Sequence, residues 1–155
     1  MTILTKPSTV RIAANVATFL FVVTIVLQLL LAAGVLPITM AWGGRQSVLT
    51  ISLRIASLAA VVILGSFIYV IRRRAGLIGV EPPSTFNKIL AWVVTGFLAF
   101  NTLGNLSSQS RLEMIVFTPI TFLLVVSCLV VSISRSDKRL KPEPDIAPGP
   151  EKITE

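Results

Sequence analysis

Four stretches of this chain carry no charged residue: 12–44, 55–71, 89–110 and 114–134, of 33, 17, 22 and 21 residues. A helix needs about 20 mostly apolar residues to cross the roughly 30 Å hydrocarbon core of a bilayer. Backbone in lipid must satisfy its own hydrogen bonds, and among single segments of this length only helices do so. The stretches therefore predict four membrane-spanning helices. The second is short; it reaches full span length by starting near Leu49 and taking in Arg54. The long Arg54 stem can carry its guanidinium to the headgroups. Hydrophobic residues make up 54% of the chain and charged residues 14%, against about 25% charged in a soluble domain.

The expected fold is an all-α, up-down-up-down four-helix bundle in the membrane. Its helices are placed at about 11–34, 49–71, 86–105 and 112–134. Residues 1–10 form a cytoplasmic lead-in. Pro37 stops the first helix, Pro82-Pro83 rules out helix in the second loop, and Pro119 predicts a kink in the fourth. The tail, 135–155, is charged at its start and then carries Pro142, Pro144, Pro148 and Pro150, a composition that favours a disordered or polyproline-like chain. The first stretch is too long for a signal-peptide core and ends without a small-x-small site, so it is expected to stay as an anchor.

Lys and Arg accumulate in cytoplasmic loops. Of the 14 here, eleven fall on one set of segments, and Arg45, Arg54 and Arg111 on the other. This places both termini inside. The same distribution accounts for the net charge of +7, so no nucleic-acid partner is expected.

Small and weakly polar residues recur at helical spacing, as in Ala13, Ala17, Thr24, Gln28 and Ala32, in Ser52, Ala56, Ala59 and Ala60, in Ala91, Thr95, Ala99 and Thr102, and in Thr118, Thr121, Cys128 and Ser132. Such faces let helix backbones approach closely in lipid, within one bundle or between copies.

The polar residues are less evenly spread. Gln28, Arg54, Asn101, Asn105 and Glu113 all fall in the outer half, and Glu113 is the one acidic residue on that side. The expected arrangement is an Arg54–Glu113 pair, with the amides satisfying what remains. Three readings stay open: a clasp fixing the outer helix ends, an outward pocket for a small polar ligand, or a snorkelling Arg54 without a partner. Arg72, Arg73 and Arg74 read first as a topology signal and second as a contact for anionic lipid.

Absences narrow the chemistry. The chain has no histidine and one cysteine, Cys128. It therefore offers no bis-histidine haem, no histidine-held metal and no dithiol pair. Serine has no histidine to activate it, and no carboxylate sits deep in a span. No cofactor and no enzymatic activity are expected.

The segments Ala41-Trp42-Gly43-Gly44, Leu53-Arg54-Ile55-Ala56-Ser57, and Asn101 to Glu113 with Asn105-Leu106-Ser107-Ser108-Gln109-Ser110 resemble an uncharacterised family of small bacterial four-helix membrane proteins, over about residues 25–125. The resemblance implies a bacterial cytoplasmic membrane and marks the outer polar segments as the identifying surface. The function expected first is that of a non-enzymatic accessory or structural membrane component, with a membrane-protein partner or a second copy. The alternative is a carrier or sensor of a small polar ligand.

Overall fold

The computed structural model describes residues 6–79 and 83–134, and the described residues form helices and turns with no strand. Four helices account for most of them: α1 (Pro7–Ala33), α2 (Ile51–Arg74), α3 (Thr85–Leu106) and α4 (Arg111–Ile133). Each is long and apolar enough to cross a membrane. The expected tail, 135–155, lies outside the described residues.

The helix ends follow local chemistry. α1 begins four residues earlier than expected because Pro7 takes the first turn, where its missing N–H costs nothing. It ends at Gly34, whose φ of 79° lets the Gly34 N–H return to Leu31 O and the Val35 N–H to Leu30 O. Thr50, Ser84 and Ser110 cap the other three helices, each accepting from the backbone N–H three residues on. α2 continues through Arg72, Arg73 and Arg74, which were expected to open the loop. Arginine is a good helix former and its charge suits a helix C-terminus. α4 runs through Pro119 as one helix.

Packing follows a seam that repeats every seven residues. Val10, Ala14, Ala17, Phe21, Thr24 and Leu31 are buried on α1, and Ser57, Leu64 and Ile71 on α2. Small side chains at the contacts, such as Ala14, Ala17, Ala91 and Cys128, are fully buried. They let the backbones approach, which lipid-embedded helices rely on in place of a hydrophobic drive. Large apolar side chains such as Phe19, Val62, Phe100 and Ile115 face outward, as a bilayer allows.

Polar contacts fix which helix ends lie together. At one end, here the Arg74 end, Arg72 Nη1 donates to Asn15 Oδ1 at 3.5 Å and Asn87 Nδ2 to Val70 O at 3.4 Å. Arg74, buried, donates from Nη2 to the carbonyls of Ser132 and Ser134, closing the end of α4. At the opposite, Trp42 end, the loop between α1 and α2 meets the loop between α3 and α4.

α2 is the least buried of the four helices and packs chiefly on α1. It reaches α3 through Phe67, whose ring stacks edge-on at 5.5 Å from Phe97 and 6.1 Å from Phe21.

Candidate functional site

The Trp42 end is organised by one carboxylate. Ser110 and Glu113 stand at the spacing of a capping box, in which Glu113 would fold back onto the Ser110 N–H. That N–H instead donates to Ser108 Oγ at 3.0 Å, and the Ser108 hydroxyl donates to Glu113 Oε2 at 2.5 Å. Ser108 thus relays the cap. The same Oε2 accepts the Gly43 N–H at 2.9 Å, from a loop 70 residues away in sequence. Gln109 N–H also donates to Gly43 O at 3.3 Å. Glu113 is therefore the pin between the two loops.

What it pins is an unusual backbone. Ile38–Met40 and Trp42–Gly44 form two short 3-10 turns, and Trp42, Gly43 and Gly44 have φ of 59°, 80° and 69°. Left-handed backbone costs a residue with a Cβ about 1–2 kcal/mol, so Trp42 is held there by its surroundings. Gly44 is needed for space as well as conformation, since a Cβ there would lie 2.7 Å from Ser110 N.

Beneath this cap lies a cavity of about 420 Å³. Ala41 and Trp42 cover its top. Its polar lining comes from Thr24 and Gln28 on α1, Asn101 and Asn105 on α3, and Glu113 and Thr121 on α4. Asn105 Nδ2 donates to Thr121 Oγ1 at 3.3 Å, and that hydroxyl donates to Phe117 O at 2.9 Å. Gln28 Oε1 is buried and has no hydrogen-bond partner among the described residues. The rest of the wall is apolar or small, including Leu64, Leu98 and Leu124. Ala59 and Ile63 on α2 and Phe97 and Asn101 on α3 line it while remaining exposed, which makes the gap between those helices its side opening.

Four of the five polar residues singled out in the sequence thus meet in one cavity: Gln28, Asn101, Asn105 and Glu113. Arg54 does not join them. It is exposed, with its guanidinium near Gly34 at the end of α1, and it makes no ion pair with Glu113. The expected pair fails because backbone and hydroxyl donors reach the carboxylate first, while Arg54 sits where the negative end of the α1 dipole favours it. Charge sign alone predicted the pair; an N–H from a distant loop leaves no mark in the sequence. Ala56, Ala59 and Ala60 were expected to pack between helices, but they line the cavity. The seam of α2 runs instead through Ser57, Leu64 and Ile71.

A second cavity, about 540 Å³, lies at the Arg74 end among Arg74, Lys88, Trp92 and Ser132. The three arginines read first as a topology signal, and second as a contact for anionic lipid, all have protein contacts: Arg72 with Asn15, Arg73 with Ile78 O at 3.3 Å, and Arg74 with the end of α4.

No family model, curated protein or solved structure matches the chain.

Proposed function

We propose that the protein is a non-enzymatic, multi-pass component of a bacterial cytoplasmic membrane, an accessory protein that presents its Trp42 end to a partner on the outer face. Both termini are then cytoplasmic. The basic residues support this side, since eleven of 14 lie on the segments assigned inside. The resemblance of the loop segments to small bacterial four-helix proteins supports the membrane.

The observation that carries the reading is the Glu113 pin. The one acidic side chain in the outer half is spent on the Gly43 N–H, next to Trp42 in its left-handed backbone, and Trp42 is 41% exposed. Strain of this kind persists where the surroundings enforce it, and it clusters at working surfaces. A carrier role has less support. Toward the Arg74 end the helices close on Ala14, Ala17, Ile71, Val94, Cys128 and Val131, and the buried hydroxyls there are bound to one another and to main-chain oxygen, Thr95 to Ser132 at 3.1 Å and to Ala91 O at 2.8 Å. A catalytic role has little to draw on, with no histidine in the chain and a buried lone cysteine.

The test is extraction in mild detergent followed by native mass spectrometry. Wild type is expected to carry a stoichiometric second protein that Trp42→Ala loses at unchanged thermal stability. A chain recovered without a partner from its own host would overturn the accessory role. The cavity favours a second reading, a sensor of a small ligand.

A further inference from the structure

The cavity under Trp42 has a side entrance, a size and a charge that together define a guest. We infer that it binds a single-chain amphiphile from the adjacent leaflet, with a head group that donates hydrogen bonds and carries no negative charge. This goes beyond the accessory role and requires only that the helices lie in a bilayer.

The entrance comes first. Ala41 and Trp42 close the top, so the exposed row of Ala59 and Ile63 facing Phe97 and Asn101 opens sideways. For helices in a membrane, that direction is the hydrocarbon. The Phe21–Phe67–Phe97 triad bridges α1, α2 and α3, and Phe97 is the ring of the three that lines the cavity. From Phe97 to the end of α3 at Leu106 is nine residues, about 14 Å of helix. A guest entering here arrives from lipid and lies at the depth of one leaflet.

Size comes second. A volume of about 420 Å³ is within the range of small-molecule sites. At about 30 Å³ per water-sized group it holds roughly 14 such groups. One chain of about ten carbons and a small head fit; the two chains of a phospholipid do not, nor does a helix about 10 Å across.

Charge and hydrogen bonding come third. The lining holds the Glu113 carboxylate and neither lysine nor arginine. An anionic head would face that carboxylate in a site screened from water. Gln28 Oε1 is a buried acceptor without a donor, a condition that costs about 1–3 kcal/mol until one arrives. Asn101, exposed among the residues at the entrance, has no side-chain hydrogen-bond partner among the described residues. A hydroxyl-bearing head supplies the Gln28 donor and accepts from Asn101, while Leu64, Leu98 and Leu124 receive the chain.

The experiment uses full-length Trp92→Phe protein in lipid nanodiscs, which leaves Trp42 as the one tryptophan, and titrates decane-1,2-diol against its emission. The expected result is a saturable change. Ionised decanoate, with the same number of carbons and an anionic head, should bind at least about tenfold more weakly. Ala60→Phe, which fills the cavity, should abolish the change, with its thermal unfolding midpoint reporting that the fold survives. Gln28→Leu keeps the volume and removes the acceptor, and should weaken binding about threefold to tenfold. An emission change that only grows in proportion to the added amphiphile would overturn the assignment. So would equal responses to decanoate and decane-1,2-diol, or an unaltered response in folded Ala60→Phe. None of these outcomes bears on whether a second protein co-purifies, so the accessory role stands or falls separately.

Discussion

At the scale of residues, the molecule turns on where Glu113 spends its hydrogen bonds. Removing the carboxylate strands the Gly43 N–H and the Ser108 hydroxyl together. Stranded groups cost about 1–3 kcal/mol each when buried. Glu113→Ala should therefore lower unfolding stability in micelles by about 2–4 kcal/mol. Glu113→Gln keeps an acceptor oxygen and should lose less than half as much. Arg54→Ala should change stability by under about 0.5 kcal/mol, as exposed charges without partners do. The Arg54→Ala/Glu113→Ala double mutant should equal the sum of the singles, and a coupling above about 1 kcal/mol would restore the ion pair. The sequence already placed Gln28, Asn101, Asn105 and Glu113 in the same half. It could not show which donors reach Glu113, because one is a main-chain N–H whose position depends on three consecutive left-handed residues.

At the scale of elements, the four spans were legible because charge is excluded from lipid, and an uncharged run marks a helix with little ambiguity. The expected starts at about 49, 86 and 112 fall within two residues of Ile51, Thr85 and Arg111, where Thr50, Ser84 and Ser110 cap the helices. The position of α2 was not. Its alanines look like a packing face, yet in lipid a small residue is equally comfortable beside a void. The seam is set instead by the residues α1 presents to it. Loop docking was hidden for a related reason, since the fit depends on two backbones meeting. Gly44→Ala adds a Cβ against Ser110 backbone and strains a φ of 69°. It should cost about 2–3 kcal/mol and raise amide exchange in residues 41–44 and 107–110 together. Exchange rising in the first segment only would mean that the loops are not locked to one another. At the opposite end, Arg74→Gln loses a charged donor to the carbonyls of Ser132 and Ser134. A loss of about 2 kcal/mol is expected, with faster exchange confined to the last turn of α4.

At the scale of the whole molecule, the two ends do different work, and sidedness connects them to biology. The Arg74 end is braced by Arg72, Asn87 and Arg74 beside a cavity of its own; the Trp42 end is a pinned cap over a cavity that opens to the side. Eleven basic residues on one set of segments argue that the Arg74 end faces the cytoplasm, because Lys and Arg resist translocation. The chain supplies its own labelling background, since Cys128 is buried and should not react with an impermeant maleimide in the folded protein. Single cysteines introduced as Ser47→Cys and Gln109→Cys report on the two loops of the Trp42 end, and Ser136→Cys reports on the segment after α4. In intact cells the first two should label fully. The third should label only after permeabilisation. If all three label from outside, the protein is not held in one orientation, and an outer presenting surface cannot be its single role. If the pattern inverts, the cavity opens into the inner leaflet; the accessory proposal then fails, and the amphiphile site keeps its chemistry but draws on the inner leaflet.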